Sequence, residues 1–259
     1  MKSTIHFLLL LLLGWTNGFA QLNESDTVRF QLRTGLTGNF QQGNVNILTI
    51  RSRLDFTWSP VKHIVFKSQN SSLYQEFSSV KADNDIFSRN YFYFDPQHKI
   101  YPFAIAYISS NYRRKIDSRV FSGAGLTWQL VDKNFHVLKI SASTVYEVNR
   151  FNGTIFNYDK YNGDNRVDLW RGTVYLAGWN YFFNNKLRLY YDAYWQPAFN
   201  DAHNYRIQFD IGFDFLLYKG LNFSTLYTFT HENVIISQVK EDDKILTFGL
   251  SYIIKIKHK

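Results

Sequence analysis

Residues 205–217 read "YRIQFDIGFDFLL" and alternate with a period of two. In an extended chain Phe209, Ile211, Phe213, Phe215 and Leu217 fall on one side, and Gln208, Asp210, Gly212 and Asp214 on the other. A strand written this way needs an apolar medium on one face and polar partners on the other. The same pattern recurs along the chain. It marks off twelve segments, at about 28–40, 45–58, 64–75, 85–94, 103–110, 119–131, 137–149, 167–182, 187–196, 205–218, 221–231 and 244–256. Turn chemistry separates them, as in "QQGN" (41–44), "SPVKH" (59–63), "DPQHKIYP" (95–102), "DKNFH" (132–136), "FNNK" (183–186) and "KG" (219–220). Only "KSQNSS" (67–72) is polar on both faces. Its register stays open, and protrusion above a bilayer or cover by a loop would suit it.

Composition decides which way the apolar faces point. Aromatic residues make up 19% of the chain, yet the mean hydropathy is only −0.28 and there are 4 prolines. That apolar side is too continuous and too aromatic to fill one interior, while the other side is rich in Arg, Asp, Thr, Gly and Gln. Hydrocarbon cannot hydrogen-bond a backbone, so a sheet that spans a bilayer must close on itself, with its polar face around a lumen. The expected fold is therefore all-β: a transmembrane antiparallel up-and-down barrel of about twelve strands. Reversals after even-numbered segments are mostly short, and most after odd-numbered ones are longer, with "QQGN" the exception. This is the asymmetry of short periplasmic turns and longer extracellular loops. Trp58, Trp128, Trp195 and Tyr252 fall near segment ends, where interfacial girdles sit. A β-sandwich is the rival fold, but its strands are shorter and its solvent face is poor in aromatics.

The N-terminus reads as an export signal. Lys2 precedes the apolar run Phe7–Leu13, and Gly18 and Ala20 take the −3 and −1 places of a cleavage site. Residues 1–20 are thus expected to be removed, leaving residues 21–259 as a single barrel domain. The apolar run is well short of the ~20 residues of a spanning helix. Loss of Lys2 lowers the formal charge from +8 to +7. With no cysteine in the chain, there is neither a lipid-attachment site nor a disulfide framework. An exported basic chain is expected to meet acidic lipid headgroups, lipopolysaccharide or small anionic and polar solutes rather than nucleic acid. Barrel-assembly machinery is an expected partner during biogenesis.

Several stretches resemble one family. "RFQLRTGLTGNFQQGNVNILTIRSRLDF" (29–56), "VFSGAGLTWQLV" (120–131), "VYEVNRF" (145–151), "YRIQFDIGFDFLLYKGLNF" (205–223) and "LTFGLSYII" (246–254) are similar to the bacterial outer-membrane barrels grouped as domain of unknown function 481. Members are often labelled salt-induced outer membrane protein. The resemblance runs over nearly all of the mature chain. It implies a barrel and an outer-membrane location, and it brings no established activity, cofactor or catalytic residue. Many such chains finish on an aromatic residue, whereas this one adds Lys257, His258 and Lys259, which places any assembly signal around Tyr252–Ile256.

The residues with most chemistry are charged and on the lumen side of the pattern. Arg29, Arg33, Arg51, Arg53 and Asp55 come from segments one and two. Arg188, Asp192, Arg206, Asp210 and Asp214 come from segments nine and ten. Opposite charges from the two groups are expected to meet across or along a narrow interior. They would either plug the barrel with ion pairs or form a constriction that selects small polar solutes. A lipid-modifying enzyme is the rival class. His231, Glu232 and Asn233 stand beside Glu241, Asp242 and Asp243, and Asp201 beside His203. No Gly-x-Ser-x-Gly or His-Glu-x-x-His pattern accompanies them, so no catalytic or metal-binding residue is assigned. Binding of a partner or of lipopolysaccharide through the loops is the other alternative.

Overall fold

The computed structural model describes residues 28–42, 46–61, 63–133 and 135–257. The expected export signal (1–20), part of "QQGN" and the terminal His258 and Lys259 lie outside the described residues. Twelve strands follow one another: β1 (Val28–Gln41), β2 (Ile47–Val61), β3 (Ile64–Phe77), β4 (Val80–Phe94), β5 (Ile100–Asn111), β6 (Ile116–Lys133), β7 (His136–Phe151), β8 (Arg166–Phe182), β9 (Leu187–Ala198), β10 (Asp201–Tyr218), β11 (Leu221–Glu232) and β12 (Asp242–Lys257). Each pairs antiparallel with its neighbours in sequence, and β1 pairs with β12 to close the barrel. The expected fold, strand number and direction are all present.

The strands run further than their side-chain alternation. β4 begins at Val80 rather than about 85, and β10 at Asp201 rather than 205. Outside the hydrocarbon a strand can carry polar residues on both faces and still pair its backbone, so hydrophilic strand ends read as loop in the sequence. One expectation changes in consequence. At the mouth where longer loops were expected, only 152–165 and 233–241 are long. The β3–β4 reversal is the pair Ser78 and Ser79, with φ of 48° and 65°, the left-handed conformation of a tight hairpin turn. The opposite mouth has short turns throughout and corresponds to the periplasmic side of such barrels.

The alternation is oriented as expected. Outward side chains include Leu36, Phe40, Leu54, Leu126, Phe213, Phe215, Leu246, Phe248 and Leu250, all exposed. The inward face carries the buried polar set, among them Gln31, Arg33, Asp55, Thr127, Glu147, Arg188 and Asp214. Outward Trp58, Trp128 and Tyr252 lie toward the short-turn mouth, and Trp170 and Trp195 toward the other, forming two aromatic belts. Trp179 is the exception: it points inward and is 6% exposed. The register of β3 is now defined, with Phe66, Ser68, Asn70, Ser72 and Tyr74 outward and Val65, Lys67, Gln69 and Ser71 inward.

Two inward glycines of β6 set how closely it meets β7. A Cβ at Gly123 would stand 2.0 Å from the Thr144 carbonyl oxygen, and one at Gly125 2.3 Å from that of Ala142. Neither neighbour is a flexible side chain that could move away. Gly123→Val should therefore destabilise the barrel by at least ~1–3 kcal/mol, as overpacking does. The shift from unfolded to compact mobility on unheated gels measures this; an unchanged folded fraction and unchanged urea midpoint would contradict it.

Candidate functional site

The lumen is built in layers. Next to the short-turn mouth, β9 and β10 place Arg188 directly opposite Asp214, and β1 and β2 place Arg33 opposite Asp55. Asp214 joins the two pairs of strands: Arg188 Nη2 stands 2.7 Å from its Oδ2, and Arg33 Nη2 donates to its Oδ1 at 3.0 Å. Arg33 reaches across because β11 and β12 present only short side chains there, Ser224 and Ser251. The Ser224 hydroxyl donates a further 2.6 Å bond to Asp214. Arg53 is held by Asp55 at 2.7 Å. The ring of Tyr190 lies over Gly212, where a Cβ would approach its Cζ to 2.3 Å. From that position the ring stacks under Arg188, 4.4 Å from its centroid, and faces Arg33 at 5.5 Å.

The middle layer has a different character. Asp192 and Asp210 are directly opposed in the β9–β10 register, two carboxylates side by side. Gln208 donates to Asp210 at 3.1 Å. Arg53, Lys67 and Arg89 face the same space, and Arg89 stands over the rings of Phe87 and Tyr107.

Beyond it, toward the long-loop mouth, the interior is filled by ion pairs. Glu147, fully buried, accepts from Arg171 at 2.9 Å, from Arg206 and from Asn149 at 2.8 Å. Arg119 grips both oxygens of Glu232 at 2.8 Å each. β6 and β11 are five strands apart in a ring of twelve, so this bidentate pair crosses almost the full width of the lumen. Arg114 donates to the carbonyls of Thr230 and Glu241, both at 3.2 Å, and Arg113 pairs with Asp83 and Asp243. The long loops fold over this side. Phe156 and Ile236 form a β-bridge and pack with Ile116, Phe151, Val167, Leu169, Ala198 and Val234. Within the cap Tyr161 donates to Asp201 at 2.8 Å, and burial together with that carboxylate pushes its hydroxyl up to about 12.

Two voids remain. One of about 260 Å³ opens beside the cap, lined by Thr37, Arg51, Leu73, Asp85, Asn111, Asp243 and Thr247 among others. A deeper one of about 110 Å³ reaches down to Tyr93, Phe103, Lys139 and Trp179. Arg33, Arg53, Gln69, Arg89, Tyr190, Asp192, Tyr194 and Asp210 border both, so the two meet at that ring. Below the deeper void, inward aromatic clusters fill the short-turn end. Val65, Tyr93, Tyr101 and Phe103 form one, and Val137, Trp179, Tyr181 and Tyr190 the other. The Lys139 ammonium lies between them, 5.7 Å from the Tyr101 ring and 5.8 Å from Trp179.

Of the charges singled out in the sequence, Arg33, Arg53, Asp55, Arg188 and Asp214 come together. Arg206 turns instead to Glu147, and Asp192 and Asp210 face each other. Arg51 reaches Thr247 at 3.3 Å, while Arg29 is exposed at the mouth. Glu147, Arg171, Arg119, Arg113, Arg114 and Asp83 were not foreseen, although Glu147 and Arg171 stand on the inward beat of "VYEVNRF" and "LWRGTVY" as plainly as the aspartates do in theirs. Glu232 points inward as a salt-bridge partner, whereas His231 points outward and bonds Asp242 at 2.7 Å. Among the described residues no group of three or more metal-ligating side chains converges.

The two acidic centres should respond differently to neutralisation. Glu147→Gln strips two buried arginines of their counter-charge and should cost about 3–5 kcal/mol. Asp210→Asn removes one of two opposed carboxylates and should be neutral or stabilising, since like charges directly across strands repel. Urea unfolding in lipid vesicles, followed by tryptophan fluorescence, separates them; equal losses would refute this division of the lumen.

Comparison with known proteins finds no curated protein that matches the chain. Among solved structures, the translocator domain of the autotransporter NalP from Neisseria meningitidis is similar at 11% identity, with 97% of this chain and 95% of that one covered and a TM-score of 0.47. The NanC porin is similar at 10% identity over 89% of this chain and 99% of that one, with a TM-score of 0.46. A model of one protein family, described as protein of unknown function DUF481, matches residues 34–254. The chain is a member of the DUF481 family, and its structure is a closed twelve-stranded barrel of the outer-membrane type.

Proposed function

We propose that this barrel is a narrow solute channel with a preference for small anions, closed at rest at its periplasmic end. The carrying observation is the charge on the walls of the two joined voids. They present ten cationic side chains, Arg33, Arg51, Arg53, Arg89, Arg113, Arg114, Arg119, Arg206, Lys67 and Lys139. Against these stand six acids, Asp55, Asp85, Asp192, Asp210, Glu232 and Asp243. Just behind the walls Asp214, Glu147 and Asp83 match Arg33, Arg206 and Arg113, with Arg188 and Arg171 beside them, so cations exceed acids by twelve to nine. In a confined space of low dielectric such an excess favours entry of anions and opposes entry of cations. Solute would enter beside the loop cap, where the wider void lies, and pass the charged ring of Arg53, Arg89, Asp192 and Asp210 that borders both voids. The aromatic clusters at the periplasmic mouth act as the stop. Lys139 is placed between them, where the deeper void ends.

Planar bilayers test this. The wild-type protein should show small or rare conductance steps, and Tyr101→Ala with Trp179→Ala should enlarge or prolong them by removing the stop. In a salt gradient the reversal potential should have the sign of anion preference, and Arg89→Gln should weaken it. Absence of current from both the wild type and the double alanine variant, each shown to be folded, would refute the channel and favour a stoppered structural barrel.

A further inference from the structure

Most of the outer wall is apolar. β10 alone presents Ile207, Phe209, Ile211, Phe213 and Phe215 to the membrane. The wall of β2–β4 differs. There Ser52, Asn70, Ser72, Ser88 and Asn90 face outward with Ser68, itself only 3% exposed, and they are contiguous: Ser52 is opposite Ser72, Asn70 opposite Ser88 and Ser68 opposite Asn90. The small Ala104 and Ala106 of β5 continue the patch sideways, with Ala106 opposite Asn90.

This patch lies at membrane depth. On β3 the aromatic residues Phe66 and Tyr74 bracket Ser68, Asn70 and Ser72 on the same face. Asn70 is opposite Leu54, four residues along β2 from the girdle residue Trp58. At ~3.3 Å per residue that is ~13 Å along the strand, or ~10 Å in depth at the usual tilt of ~35–45°, well inside an apolar band ~25 Å tall. Part of the polarity is absorbed within the wall. Asn70 Nδ2 donates to the Leu54 carbonyl and to Ser68 Oγ, each at 3.0 Å, and Asn90 Nδ2 donates to Ser88 Oγ at 3.0 Å. These bonds all use the NH₂ end. That leaves Asn70 its Oδ1 acceptor and Asn90 both an acceptor and a second N–H, so Asn90 of one wall is complementary to Asn70 of another. Lipid tails offer neither donor nor acceptor.

We infer that this patch is the contact between two copies of the chain, related by a two-fold axis along the membrane normal. None of its six residues is charged, so charge does not select the partner. A lateral partner must instead bring neutral hydrogen-bonding groups to the same depth. A second copy does so of necessity, because all copies insert in the same direction and carry the patch at one height. The two-fold makes the contact isologous and closed, with Asn70 and Asn90 of each copy facing the same surface on the other. Short serine and alanine side chains let the two walls approach closely, and the amides bond across, as polar side chains do between membrane helices.

The absence of cysteine from the sequence makes cross-linking background-free. Ser88→Cys should give a disulfide-linked homodimer on oxidation in intact membranes. Ile211→Cys, on β10 and six strands away around the ring, should not. Adding Asn70→Leu and Asn90→Leu to Ser88→Cys should lower the dimer yield severalfold while the barrel keeps its compact mobility on unheated gels. Equal yields from the two cysteine positions would overturn the inference. So would a yield unaffected by the leucines in a folded barrel, or an adduct to a different protein. If the leucine variant does not fold, the comparison of Ser88→Cys with Ile211→Cys on the otherwise native wall still decides.

Discussion

The structure depends on one row of backbone hydrogen bonds, that between β1 and β12. An unpaired strand edge in hydrocarbon leaves a line of N–H and C=O groups with nothing to bond. Pairing Arg33 with Ile253 and Leu36 with Leu250 removes that edge and turns a sheet into a wall with two unlike sides. Everything else follows from closure. The apolar side must face out, the polar side must face in, and charges that would be intolerable in lipid acquire a place where they can meet one another.

Because both sides are fixed by a two-residue period, much of this was legible in the sequence. Strand number and direction and the girdle positions of Trp58 and Trp195 follow from alternation and the turns that punctuate it, and the aromatic-rich composition says which face turns outward. Strand ends did not, since β4 and β10 carry on past the bilayer into hydrophilic sequence whose backbone pairs regardless of side chain. Trp179 was equally silent: it occupies an inward place in the alternation, but an aromatic side chain alone does not say whether it belongs to a girdle or a plug.

The lumen shows the limit of one-dimensional reading more sharply. Alternation assigned Arg33, Asp192, Asp210 and Asp214 to the inside. It could not say that Asp214 would take two arginines while Asp210 took none, because partners are set by shear and strand order rather than by sequence distance. Arg206 joins Glu147 over three strands, and Tyr190 fills the place vacated by the missing side chain of Gly212. The same limit applies to "KSQNSS". It is polar on both faces because one face looks into the charged interior and the other carries the serines and asparagines of the β2–β4 wall.

The Arg119–Glu232 pair also has a meaning in time. Its partners stand on β6 and β11 and come within reach only when the sheet has curled far enough to close. Contacts of this sort are absent while the barrel is still forming, so they contribute little to the rate of assembly and weigh chiefly on the rate of escape. The strut is a latch set after the door has shut. Its service is to the lifetime of the folded wall, and persistence there is governed by unfolding rate more than by equilibrium.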